Sequence, residues 1–212
     1  MPRSATLLMA LGLVAAVAGA QTADGTGDRR AEVVLEGGVV SPLGDLAAGY
    51  LNTERGMGQE PGYTLGLRVR LYAHRNLTLA PTFAYVEFGD YDGYDAGGKP
   101  FSIQTSLLRY GLDVCWIATG GERTVRPFAG VGAAVVRNKY GEEFTATETV
   151  FDAGRNAFTW SLQSGFRILD WEVTFQYEFD RFTTPAFHAS GEDLSLSWNN
   201  LIVRVGLVLP RL

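Results

Sequence analysis

Between residues 158 and 182 the chain alternates apolar and polar side chains at every second position, and no other feature restricts the fold as strongly. Phe158, Trp160, Leu162, Phe166 and Ile168 oppose Thr159, Ser161, Gln163, Gly165 and Arg167, with Ser164 the one polar interruption. Trp171, Val173, Phe175, Tyr177 and Phe179 then oppose Glu172, Thr174, Gln176, Glu178 and Asp180. A period of two belongs to a β-strand with one apolar and one polar face, and no helix sustains it. The pattern recurs over Tyr63–Ala73, over Leu108–Trp116 and, at the end of the chain, over Asn200–Leu209. It is weaker over Glu32–Ser41, Leu77–Phe88 and Arg126–Asn138, the last small and apolar on both faces. Together these segments predict eight strands of roughly 9–12 residues, a length that carries a tilted strand across a bilayer.

The gaps between segments alternate as regularly as the residues. Long gaps fall at about Pro42–Gly62, Gly89–Pro100, Lys139–Ala157 and Thr183–Leu194, and short ones at His74–Asn76, Ala118–Arg123 and Leu169–Asp170. An up-and-down membrane barrel with an even strand number has short turns at one rim and long loops at the other. The fold class read from the sequence is therefore all-β, an eight-stranded antiparallel up-and-down transmembrane β-barrel over residues 31–212. Residues 1–20 read as a signal peptide, with Arg3 as the positive region, an apolar stretch from Ala5 to Ala18 and Ala18-Gly19-Ala20 as cleavage site. Residues 21–30, rich in Gly, Thr, Asp and Arg, read as a flexible lead. The expected destination is the outer membrane.

Composition excludes several other functions. The net charge is −5, and removal of the signal would take one arginine and no acid; a nucleic-acid binder needs a basic face instead. One cysteine and two histidines provide neither a disulfide framework nor a metal centre. No cofactor and no metal are expected.

The two faces can be assigned. An eight-stranded barrel has an interior just wide enough to be filled by side chains, and the indoles and phenyls of the apolar face would overfill it. Tyr63, Tyr85, Trp116, Trp160, Trp171 and Tyr177 stand near strand ends, where amphipathic rings suit a lipid–water boundary. The polar face then points inward. Arg68, Arg70, Arg109, Arg167 and Arg204 would meet Glu36, Asp113, Glu172, Glu178 and Asp180 in a charge network that plugs the lumen. A narrow gated pore, in which such pairs open, is the alternative.

At this point the chain resembles the small bacterial outer-membrane barrels typified by the OmpA transmembrane domain and OmpX. The stretch Arg126-Pro127-Phe128-Ala129-Gly130-Val131-Gly132-Ala133 carries the likeness, a P-aromatic-x-G-x-G strand opening. The resemblance implies a monomeric, non-enzymatic barrel inserted by the barrel-assembly machinery. It implies contacts with outer-membrane lipid and, through the long loops, with a surface ligand; nucleic acid is not among the partners. The chain closes on Leu209-Pro210-Arg211-Leu212 without the terminal phenylalanine that the assembly machinery usually reads, which suggests a divergent lineage. His188-Ala189-Ser190 is similar to the His-x-Ser of lipid A deacylases, with Glu192 or Asp193 to orient the imidazole. Gly191 replaces that family's asparagine, so the acyl hydrolase is the second reading. Asp90, Asp92 and Asp95 read as a solvated acidic loop in preference to a calcium site.

Overall fold

A computed structural model describes residues 31–44, 47, 59–94, 98, 100–118, 125–144, 149–184, 194–197 and 199–209. The described residues are almost all strand: β1 (Ala31–Leu43), β2 (Glu60–His74), β3 (Leu77–Gly89), β4 (Tyr91–Tyr94), β5 (Pro100–Ile117), β6 (Val125–Phe144), β7 (Thr149–Ile168), β8 (Trp171–Thr184), β9 (Leu194–Ser197) and β10 (Asn199–Leu209). No helix long and apolar enough to cross a membrane is present among them. The expected signal peptide over 1–20 and lead over 21–30 lie outside the described residues.

Eight of the strands close on themselves. Each long strand pairs antiparallel with its neighbours in the order β10-β1-β2-β3-β5-β6-β7-β8, and β8 pairs with β10 to seal the cylinder. Closure leaves no sheet edge in the wall, the one arrangement that satisfies every strand's backbone groups. The short β4 and β9 hang on β5 and β8 at one end.

Register fixes the barrel's dimensions. Glu32 stands opposite Arg70, and the β2–β3 register carries that level to Ala80; it continues through Asp113, Gly132, Ser161, Glu178 and Asn200 and comes back to β1 at Pro42. The circuit returns ten residues from its start (32 to 42). Eight strands with that stagger tilt by about 40°.

The period-two segments and the eight-stranded fold are as the sequence implies, but the strand limits are not. The gap Lys139–Ala157 is mostly ladder, with Lys139↔Gly154 through Phe144↔Thr149 continuing the β6–β7 pairing. The fourth segment begins at Pro100, where Leu108 was expected; the gap Gly89–Pro100 contains β4, and β9 starts at Leu194, the last residue of the gap Thr183–Leu194. The wall there runs past the level where one face meets an apolar surround. Alternation fades in Tyr140-Gly141-Glu142-Glu143 although the backbone remains paired.

Candidate functional site: an ionic lumen inside an apolar wall

The wall is inside out compared with a water-soluble barrel. Every one of the eight wall strands exposes a bulky apolar side chain: Leu35, Leu65, Leu79, Leu112, Val131, Leu162, Phe175 and Val205. Leu65 is 58 % exposed and Trp160 59 %. On β7 the outward row stays apolar from Phe158 to Ile168 apart from Ser164, about 33 Å along the strand. At a tilt near 40° that is a belt about 25 Å tall. The rows turn polar together at the upper rim, the end that carries the long connections: Ser41, Glu87, Ser106, Arg137, Asn156 and Asn199.

The six expected interface aromatics lie on this outer face. Trp116 and Trp171 sit beside the short turns, paired with Leu77 and Ile168. Tyr63, Tyr85 and Trp160 stand toward the opposite rim, and Tyr177 packs edge-on against Phe179 at 4.6 Å. Tyr63 and Tyr85 both donate to Glu87, at 2.5 and 2.8 Å, so a carboxylate at the upper rim is held by two ring hydroxyls.

Charge is concentrated inside. Arg68, Arg70, Arg109, Arg167 and Arg204 are all buried, and so are Glu32, Glu36, Asp113, Glu172 and Glu178. Among the described buried residues cations and carboxylates are equal in number. Arg167 lies 2.8 Å from Glu32, which also meets Arg70 at 3.3 Å and accepts from the Tyr72 hydroxyl at 2.8 Å. Arg70 reaches Glu172 at 2.7 Å, and Glu172 meets Arg68 at 3.2 Å. Arg68 continues to Glu36 at 3.0 Å, and Glu36 to Arg204 at 3.1 Å. A branch runs from Arg68 past Asp113 at 4.0 Å to Arg109, which is 3.5 Å from Asp113 and 2.6 Å from Glu178. Gln176 joins the branches, donating to Glu178 at 2.7 Å and accepting from Arg204.

The remaining strands make room. β3 supplies Thr82, which accepts from Arg109 at 2.7 Å, and β7 supplies Ser161, which accepts from the same guanidinium at 3.4 Å. β6 contributes glycines: a methyl on Gly132 would fall on the Asp113 carboxylate and on Ser161 Oγ. Inward Val40, Val86, Phe88, Leu107 and Val136 lie on the upper-rim side of the cluster together with Thr64, Thr105 and Asn138, and Ile117, Phe128 and Val208 line its lower end beside Arg167 and Glu32.

Glu32, Tyr72, Gln176 and the inward apolar residues are absent from the set read from the sequence. Glu32 shares the face of Glu36, four residues along the same strand, and that spacing was the available signal. The side chain of Asp180 lies outside the described residues, as do His188, Ser190 and Glu192. Cys115 is buried on the inner face. Among the described residues no cluster of His, Cys, Asp or Glu could hold a metal ion. Chemically, the lumen provides paired charges in a water-poor space. Each group would cost several kcal/mol to bury alone.

No family model and no curated protein sequence matches the chain. Solved structures do. Neisserial surface protein A aligns with a TM-score of 0.50 at 9 % identity, over 84 % of this chain and 96 % of that one. A major outer membrane protein from Thermus thermophilus aligns with a TM-score of 0.50 at 12 % identity, over 85 % of this chain and 100 % of that one. At such identities the likeness is one of fold, and in fold this chain is similar to the small eight-stranded barrels of outer membranes, the architecture typified by the OmpA transmembrane domain and OmpX.

Proposed function

We propose that the protein is exported, inserted by the barrel-assembly machinery and set in a bacterial outer membrane as a non-enzymatic, monomeric barrel with a closed lumen. The observation that supports this most is the inversion of the wall. Bulky apolar side chains are exposed on each of the eight wall strands while, among the described residues, five arginines and five carboxylates are buried. Water would not stabilise that surface, whereas a hydrocarbon layer about 25 Å thick matches the belt.

The plug follows from the energetics of the ion pairs. An ionic layer in a narrow lumen stays shut when each charge has partners, because parting them exposes charge to a poorly hydrated space. Inward apolar side chains near both ends of the cluster support the same reading by narrowing the lumen further. The role is then in envelope integrity, or in contact with a surface ligand through the end of the barrel that extends past the belt.

The test is fractionation followed by gel mobility with and without heating, then planar-bilayer recording. Recovery in the outer-membrane fraction, a heat-dependent mobility shift and silent bilayers are expected. Recovery as a soluble periplasmic protein would overturn the membrane reading, and discrete conductance of the unaltered chain would overturn the plug.

A further inference from the structure

Two cations at the upper rim of the belt have no partner among the described residues. Arg137 and Lys139 lie on the outer face of β6, two residues apart, and both are exposed. Arg137 stands between Leu108 and Asn156, and Lys139 between Ser106 and Gly154, so no carboxylate occupies a paired position on either side. Neither makes an ion pair or hydrogen bond with any described residue. Of the nearby acids whose side chains are described, Glu87 is engaged by the hydroxyls of Tyr63 and Tyr85 and Asp90 by the Gln104 amide at 3.4 Å, while Asp152 and Glu143 occupy the next positions of the β6–β7 ladder beyond Lys139. All five lumen arginines, by contrast, are paired.

The position of the pair identifies its ligand class. Immediately below on the same face are Val135 and, on β7, Phe158 and Trp160, the two rings edge-on at 5.1 Å. Aromatic rings of this kind settle at the boundary between acyl chains and headgroups, which places the next two outward residues at the level of lipid phosphates. A guanidinium and an ammonium about 7 Å apart along a strand can converge on one phosphate, the guanidinium by two parallel hydrogen bonds.

We propose that Arg137 and Lys139, with Phe158 and Trp160 beneath them, form a site on the outer wall for the phosphate of an anionic lipid headgroup. The site rests on the membrane reading above. It gives one sector of the wall, over β5 to β7, a preferred lipid, while the tyrosine-bound Glu87 marks the neighbouring sector as one that no anion favours.

The experiment uses the full barrel reconstituted in phosphatidylcholine containing a small fraction of spin-labelled phosphatidylglycerol or spin-labelled phosphatidylcholine. Selectivity is read from the immobilised component of each spectrum. The unaltered protein is expected to prefer the anionic lipid. Arg137→Gln or Lys139→Gln alone should weaken that preference roughly fivefold at its preferred site, and both together by up to about thirtyfold. Arg137→Lys should retain most of it. An unchanged preference in the double variant overturns the site while leaving the membrane reading intact. Displacement of the labelled lipid by millimolar inorganic phosphate would assign the pair to free phosphate and overturn the lipid assignment. Failure of the chain to insert into either lipid would overturn the membrane reading, and the site with it.

Discussion

Arg109 on β5 reaches across the lumen to Glu178 on β8, its Nε 2.6 Å from the carboxylate oxygen. The two strands are separated by β6 and β7 in the wall, so this contact is made through the interior. It ties opposite sides of the barrel together where no backbone bond can.

Removal of one member of that pair should therefore cost more than removal of both. Glu178→Ala leaves Arg109 with only Asp113, Thr82 and Ser161, and a loss of about 3–5 kcal/mol is expected for an orphaned buried charge. Replacing both with apolar residues of similar volume should restore much of that loss. Urea unfolding in micelles, followed by the mobility shift, gives both values and their coupling.

Gly132 offers a steric counterpart. A methyl there has no space between the Asp113 carboxylate and Ser161 Oγ, both of which belong to the packed interior. Gly132→Ala is expected to destabilise by roughly 1–3 kcal/mol, as overpacking does, with no change in charge. The same unfolding titration measures it. Gly37→Ala, whose added methyl would make only ordinary contacts on the outer face, is the control.

These two positions show how far the sequence could be read. Parity along each strand was legible because a strand's side chains alternate strictly, and it placed Arg109, Asp113, Glu172 and Glu178 on one face. Partners were not legible. Which arginine meets which carboxylate depends on the stagger between strands far apart in sequence, as with Arg167 and Glu32. Strand limits failed for a different reason. The alternation records contact with an apolar surround, so it stops at Arg137 on β6 while the ladder continues to Phe144. Glu32 escaped notice because it opens a segment in which Val33, Val34 and Leu35 blur the period.

The belt should respond to charge by depth. Leu112 is exposed at mid-height, and Ser106 lies six residues along β5 at the rim. Leu112→Arg is expected to cost about 2–4 kcal/mol and Ser106→Arg about 0–1 kcal/mol. Equilibrium folding into liposomes at a series of urea concentrations provides the comparison. Equal costs at both sites would mean the wall has no hydrocarbon midplane.

Lipid A incubated with the purified barrel should release no fatty acid. Ser190→Ala should leave the chromatogram unchanged. Release that disappears with Ser190→Ala would establish the acyl hydrolase in place of a non-enzymatic barrel.

The inverted wall is tested most directly by nitroxide labels placed in liposomes at Leu65, Leu112, Val131 and Phe175 on the outer face, and at Ser161 and Thr174 on the inner. Outer labels are predicted to collide readily with dissolved oxygen and hardly at all with a water-soluble nickel chelate, while inner labels meet little of either. Outer labels as accessible to the nickel chelate as a soluble protein's surface would contradict the account.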